Sequence, residues 1–361
     1  MNSDFWKDKR VFVTGHTGFK GGWLVLWLKK MGVVVKGYSL EPSTTPSFFN
    51  VANMAEGMES EIGDVRDLET LKKSILNFAP EIVLHMAAQP LVRRSYQDPV
   101  GTYQTNVMGT VNLLESVRHC PSVKAVVNVT TDKCYENKEW IWAYRENESM
   151  GGYDPYSNSK GCSELVTSAY RQSFFQSQTS VSLASARAGN VIGGGDWSDD
   201  RLIPDVLKAF DLGKPVVIRN PLATRPWQHV LEPISGYLTL AEKLYASESE
   251  YAEGWNFGPN DEDAQPVGEV LDYLVVHWPT RASWSLDKSS QPHEAQLLKL
   301  DISKAKAKLN WAPRWNLNKA IQTIIDWHFA WINGEDMKEF SLKQIRDFEE
   351  TSNREISAGS F

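Results

Sequence analysis

Cysteine is scarce in this chain of 361 residues: only Cys120, Cys134 and Cys162 occur. They form no CxxC pair and cannot all pair with one another, so neither a disulfide framework nor a structural zinc site is expected. Reduced thiols and no bound metal follow. Long apolar runs are missing as well. The densest, residues 23–28, is far shorter than the ~20 residues a bilayer span requires, and residues 1–10 are mixed and charged rather than leader-like. No membrane partner is expected, and a cytoplasmic location is. Positive charge is in deficit, with 38 Lys and Arg against 45 Asp and Glu for a net −7. The field of the whole molecule therefore offers no general attraction to nucleic acid or to an anionic surface. A phosphate-bearing ligand would need a local basic pocket. Residues 212–231 supply a candidate, with Lys214, Arg219 and Arg225 and no Asp or Glu; the alternative is a solvated basic loop.

What the chain does have is size and alternation. With 42% apolar residues it can bury a core that divides into two lobes within one compact unit. Short β-branched runs alternate with longer helical patterns in the first half, the signature of βαβ units and a parallel sheet. Strands are predicted at residues 11–14, 33–38, 58–62, 82–86, 125–130 and 181–187, and helices at 21–31, 67–78, 103–119 and 155–176. The expected fold class is α/β, a doubly wound parallel Rossmann sheet with a smaller mixed α/β C-terminal lobe. Residues 1–185 form the sheet domain, with 228–253 returning to it, and 186–227 with 254–361 form the second lobe. There the pattern turns to short strands, loops and prolines, with further helices at 233–246 and 317–333. Seven of the 14 tryptophans lie from Trp255 onward and read as core or interface filler. Residues 335–361 read as a surface helix and a loose tail.

Directly after the first strand comes a GxxGxxG loop, residues 14–22, that opens a helix. Such a loop lets backbone N–H groups and a helix N-terminus approach a pyrophosphate without Cβ obstruction. Gly15, His16, Thr17, Gly18, Phe19, Lys20 and Gly21 are therefore the candidate dinucleotide cradle. Asp64, just past the third strand, is placed to accept from an adenine, or else to cap the helix beginning near Asp67. The carboxylate that selects NAD is expected about 20 residues beyond the loop, where this chain has Tyr38, Ser39 and Leu40 and reaches Glu41 slightly later. No Lys or Arg lies between Lys36 and Arg66 to meet a ribose phosphate, which favours NAD over NADP; Lys20 is the one cation that argues otherwise.

Tyr156 and Lys160 are four residues apart at the start of a helix and share one face. A tyrosine near its ordinary pKa of ~10 is a poor base, and a lysine one turn away favours the phenolate. Such a pair removes an alcohol proton as hydride leaves. Thr131, Asp132 and Lys133 follow the fifth strand, at the strand edge where open α/β sheets bind ligands. Alcohol oxidation needs a hydroxyl there and nothing more. The added Asp132 and Lys133 point to further proton transfers, or to a turn ion pair.

Together these segments resemble the extended short-chain dehydrogenase/reductase family, and within it the sugar-nucleotide 4,6-dehydratases. The likeness runs from residue 11 to about 315 through TGHTGFKGGWL (14–24), HMAAQPLVRRSYQDP (85–99), TNVMGTVNLLE (105–115), TTDKCY (130–135), YSNSK (156–160), ARAGNVIGGGDW (186–197) and RPWQHV (225–230). It implies an internal redox cycle on a nucleotide sugar. Tyr156 would take the carbon-4 hydroxyl proton while hydride passes to NAD, Thr131 would hydrogen-bond the carbon-4 oxygen, and Asp132 would be the acid for the water leaving carbon 6. Val65, Met86, Ala87, Ala88 and Asn106 would join the cofactor site. Gln89, Arg187, Asn190, Arg201, Arg219, Arg225 and His229 would line the substrate site, arginines suiting a diphosphate.

One departure stands out: thymidine- and guanosine-linked dehydratases carry a glutamate, their presumed carbon-5 base, where this chain has Lys133. A lysine acting as a neutral base at pH 7 gives up roughly 4 kcal/mol of its preference for charge. Either Lys133 is that base, or it stays cationic beside the developing enolate while Asp132 or Glu136 moves the proton. The likeness further implies a homodimer or homotetramer and a supply of deoxysugars for bacterial surface polysaccharide. A 4-epimerase of the same family shares the loop and the Tyr/Lys pair, but Asp132 weighs against it. A non-catalytic NAD(H)-sensing protein shares only the fold, and the intact Tyr156/Lys160 pair weighs against that.

Overall fold

The computed structural model describes residues 2–176, 181–246, 249–287 and 296–358, with side chains to Thr351. Seven parallel strands form the central sheet: β1 (Arg10–Thr14), β2 (Val34–Ser39), β3 (Glu59–Ile62), β4 (Ile82–His85), β5 (Ala125–Val129), β6 (Ser182–Ala188) and β7 (Gly254–Phe257). Their order is β7-β6-β5-β4-β1-β2-β3. The chain reverses its winding direction between β1 and β4, which opens a crevice at the carboxyl ends of the strands. Every residue of β4 and β5 is buried, because helices cover both faces. On one face α1 (Phe19–Lys30) and α6 (Leu231–Tyr245) pack Trp23, Leu26 and Leu238 onto Val13 and Val127. On the other, α2 (Leu68–Phe78) and α3 (Gly109–Arg118) pack Leu71, Ile75 and Leu113 onto Phe12 and Val83.

The six predicted strands are present within about two residues at each end, the usual uncertainty of an element boundary. The seventh went unread. β7 is four residues, GWNF, too short to show a period, yet it pairs in parallel with β6 from Gly254↔Ser185 to Phe257↔Ala188. Residues 254–257 therefore complete the sheet rather than belong to the smaller lobe, and β6 runs three residues past the expected boundary at 185. The helix predicted over 103–119 is interrupted: Pro99–Tyr103 passes into a π turn, Gln104–Met108, before α3. Likewise α4 (Pro155–Tyr170) ends in a π turn at Arg171–Phe175.

The smaller lobe has its own core around α5 (Leu202–Asp211) and α7 (Leu317–Ile332), where Phe210, Trp278 and Ile321 meet. Val216–Ile218 pairs in parallel with Trp284–Leu286, and Thr224–Pro226 pairs antiparallel with Ala264–Pro266. The C-terminal helix α8 (Met337–Ala358) is more than a surface element. It buries Ile345 and Phe348, and Glu349 accepts from Trp27 Nε1 at 2.9 Å. Residues 359–361 of the expected tail lie outside the described residues. Among the described residues no helix is long and apolar enough to cross a membrane, and no cluster of metal-ligating side chains occurs. The three cysteines are free.

Candidate active site

A cleft of about 1270 Å³ opens between the carboxyl ends of the sheet and the smaller lobe. Its floor is the glycine loop. Gly15 turns the chain with φ +78°, and a Cβ there would sit 2.8 Å from the Ala87 backbone nitrogen. A Cβ on Gly21 would fall 2.0 Å from Gly15 O. Protein packing thus requires both glycines. Gly18 is different: it is the N-cap of α1, and a Cβ would meet nothing closer than Gly15 O at 3.4 Å. No side chain caps this helix, so its first-turn N–H groups are open to an anion, and a missing Cβ at Gly18 lets that anion approach. The chain fits a dinucleotide diphosphate here. Thr17, Phe19, Lys20, Asp64, Val65, Met86, Ala87 and Ala88 all line the same cleft.

Past β3, Asp64 is held by Arg66, whose backbone N and Nε lie 2.9 and 3.0 Å from Oδ1; this guanidinium keeps the carboxyl below the usual carboxylate range. Asp67, not Asp64, caps α2, accepting from Thr70 N at 3.1 Å. Ser39 stands where an NAD-selecting carboxylate was sought, and its hydroxyl shares a 2.8 Å hydrogen bond with Thr17.

The chemistry sits at the other end. Asp154 caps α4, accepting from Ser157 N at 2.9 Å with Pro155 at the first helical position, and this start turns Tyr156 and Lys160 inward. Burial pushes the Tyr156 phenol up to about 12, against the pull of neighbouring Thr131 and Arg201. Lys160 donates instead to Val129 O at 3.2 Å, and burial lowers it to about 8. Burial thus opposes the phenolate, and Lys160 is engaged by the Val129 carbonyl. Thr131 caps a tight turn, Asp132–Cys134, and its Oγ1 donates to Asp132 Oδ1 at 3.0 Å. Asp132 is fully buried, and its Oδ2 has no hydrogen-bond partner among the described residues. Lys133 Nζ lies 3.6 Å from Asp132 Oδ1 and 3.5 Å from Asn190 Oδ1, so the turn ion pair exists within the cleft. Lys20 reaches the same end, where burial, Arg201 and Lys160 bring it down to about 7. A hydroxyl, a buried acid and several amines thus converge on one wall, a set suited to moving protons on a polyol.

Comparison with known proteins agrees with this geometry. A family model described as GDP-mannose 4,6 dehydratase matches residues 12–324. The chain belongs to the GDP-mannose 4,6 dehydratase family. CDP-glucose 4,6-dehydratase of Salmonella typhimurium is 58% identical over 358 residues, covering 98% of this chain and 100% of that one. dTDP-glucose 4,6-dehydratase of Xanthomonas campestris is 26% identical over 92% and 97% of the two chains. Among solved structures, UDP-glucose 4-epimerase of Thermotoga maritima has a TM-score of 0.77 at 21% identity, over 90% of this chain and 99% of its own. dTDP-glucose 4,6-dehydratase of Bacillus anthracis, in complex with NAD, has 0.74 at 20%, over 92% and 99%. These two likenesses show the fold.

For a member of the dehydratase family the distribution of the expected substrate residues is informative. Asn190, Arg201, Arg219 and Arg225 line the cleft, and Arg225 is held by donating to Thr224 O at 3.0 Å. Arg187 does not line it. It is buried behind the sheet in an ion pair with Glu164, NH2 to Oε2 at 2.9 Å, and donates to Tyr135 Oη at 2.7 Å. His229 is likewise no ligand: it is fully buried between Trp23 and Trp315, and its Nδ1 accepts from Leu231 N. His16 points away from the cradle, its ring packed over Gly37 with Nε2 on Ser60 Oγ at 2.8 Å. Asn106, in the π turn, accepts from Gln89 N at 2.8 Å and donates to Gln89 O and Ser159, so it positions the cleft wall from behind. Gln89 lines the cleft, but its amide is spent on Leu91 and Thr102. Glu164 went unread, although its place one turn beyond Lys160 puts it on the face already assigned to catalysis. Arg93 also went unread; it bridges the cleft mouth to Asp200 at 3.1 Å, a pairing between segments that no sequence pattern links.

Proposed function

We propose that the protein is an NAD-dependent CDP-glucose 4,6-dehydratase, converting CDP-D-glucose to CDP-4-keto-6-deoxy-D-glucose and water. The likeness over the whole length of the Salmonella enzyme carries this reading. When bound in the glycine cradle, NAD supplies the hydride acceptor and donor that connects carbons 4 and 6 of the sugar. The rest falls to the chain. Tyr156 takes the carbon-4 hydroxyl proton and Thr131 holds the carbon-4 oxygen. The resulting ketone acidifies the carbon-5 proton, for which Lys133 is the nearby base or counter-charge. Asp132 protonates the hydroxyl leaving carbon 6. Arg201, Arg219 and Arg225 hold the diphosphate. Asp132 favours elimination over epimerisation, since inverting carbon 4 needs no acid at carbon 6.

The enzyme works in the cytoplasm as a homodimer or homotetramer in this reading. Exposed Val100, Met108 and Leu165, on the helices outside the catalytic face, are apolar surface that a second copy would cover. The test is product mass spectrometry after incubation with CDP-glucose and NAD, with UDP-, GDP- and dTDP-glucose in parallel. Loss of one water from the cytidine substrate, without net NADH, is expected. Net NADH with no water lost would make the protein a simple sugar-nucleotide dehydrogenase, and unchanged mass an epimerase.

A further inference from the structure

The groups assigned to the two halves of the reaction sit on different elements. Tyr156 and Lys160, which serve oxidation at carbon 4, belong to α4, whereas Asp132 and Lys133, which serve elimination, belong to the tight turn after β5. Both sets act on neighbouring carbons of one sugar, so the spacing between helix and turn is part of the chemistry.

A buried ion pair behind the cleft touches both elements. Glu164, one helical turn beyond Lys160, and Arg187 of β6 are each 5% exposed, and neither lines the cleft. Arg187 grips the carboxylate with two parallel bonds, Nε to Oε1 and NH2 to Oε2, both at 2.9 Å. Ser185 Oγ donates to Oε2 at 2.5 Å, and Thr130 Oγ1 donates to Oε1. Each carboxylate oxygen thus accepts twice, which fills its lone pairs and leaves Glu164 nothing to offer a substrate. Burial opposes the charge on Glu164, but Arg187 outweighs it and holds the carboxyl below the usual range. From the other side of the guanidinium, NH1 donates to Tyr135 Oη at 2.7 Å, and Tyr135 Oη donates to Asn256 Oδ1 of β7 at 2.7 Å. Thr130 precedes Thr131, the cap of the catalytic turn, and Tyr135 follows Cys134, its last residue. The turn is therefore tied at both ends to one pair, and that pair is rooted in the helix that carries Tyr156 and Lys160.

We propose that Glu164 and Arg187 are positioning residues, a paired clamp that sets the turn bearing Asp132 and Lys133 against Tyr156 and Lys160 so that elimination keeps pace with oxidation. This rests on the dehydratase reading. The fold makes room for the clamp at Gly254, the first residue of β7, where a Cβ would fall 2.5 Å from Arg187 NH2. A side chain there displaces the guanidinium without removing any polar group. When the clamp loosens, α4 and the glycine loop keep their places and oxidation continues. The turn drifts, and elimination falls behind.

The test uses the full-length enzyme with NAD and CDP-glucose and takes two readouts from one reaction: water loss by product mass, and the fraction of cofactor held reduced during turnover by its absorbance. Glu164→Gln keeps the shape and removes the charge that Arg187 grips. It is expected to lose water about 10²-fold more slowly, with a reduced-cofactor fraction above the parent's. KM for CDP-glucose and the NAD dissociation constant are expected to change by less than about threefold. Should Glu164→Gln not fold, Gly254→Ala is read in its place, with the same signature expected. Phe348→Leu, a core substitution under α8, controls for lost stability: its melting temperature falls, while kcat and the reduced fraction stay at the parent's values. A clamp variant with the parent's kcat, or one slowed without a rise in reduced cofactor, overturns the positioning role. So does a Phe348→Leu enzyme that accumulates reduced cofactor as well. A parent that loses no water overturns the dehydratase reading; a parent that loses water at the same rate as Glu164→Gln overturns the clamp alone.

Discussion

Glu232 shows what a single buried carboxylate does away from the chemistry. It sits in the first turn of α6 and accepts from the backbone nitrogens of Arg314 and Trp315, at 3.0 and 2.7 Å, tying the segment before α7 to the sheet domain. Burial pushes it up to about 8 in spite of those bonds. A folded pKa above the unfolded value near 4.5 means that the native state binds the proton more tightly. The stability it contributes is fully present below about pH 4.5 and is lost as pH rises through about 8. Thermal unfolding of the parent is expected to show this decline, and Glu232→Gln to flatten it. Equal slopes for the two proteins between about pH 5 and 8 would contradict the assignment. At this scale residue type was legible in the sequence and direction was not. Arg187 and His229 belong to motifs shared with ligand-binding families, but β6 is buried on both faces and gives no alternation to tell which way Arg187 points.

Among the elements, the strand–loop–helix unit of β1 and α1 positions the cofactor end of the cleft. Because Gly18 meets no close protein atom, a side chain there should obstruct a ligand without disturbing the fold. Gly18→Val is expected to keep its melting temperature within a few degrees while weakening NAD binding by more than about tenfold, read by a fluorescence titration. A large fall in melting temperature would mean that packing, not ligand approach, requires this glycine. The unit was readable because strand, glycine triplet and helix follow one another in sequence. β7 and the π turn at Gln104–Met108 were not, since four residues carry no period and an extra residue within a helix leaves the apolar spacing nearly unchanged.

Over the whole molecule, the order of seven parallel strands places the β1/β4 reversal beneath the glycine loop. It also sets the end of β5, with Thr131, Asp132 and Lys133, beside Tyr156 of α4. The smaller lobe closes over this edge with Arg201, Arg219 and Arg225, so the glycine loop, Tyr156 and the arginines all line one cleft. The alternating pattern made the α/β class and the two lobes legible, because βαβ units need contiguous chain. Contacts across the lobes, such as Arg93 with Asp200, join residues 107 apart and leave no local trace. The central claim is that hydride removed from carbon 4 returns to carbon 6 of the same sugar while water leaves. The most direct measurement is conversion of CDP-glucose carrying deuterium at carbon 4, with the product read by mass spectrometry and NMR. A product lighter by one water that retains the deuterium at carbon 6 is expected. Deuterium lost to exchangeable reduced cofactor, or retained at carbon 4 in a product of unchanged mass, would contradict it.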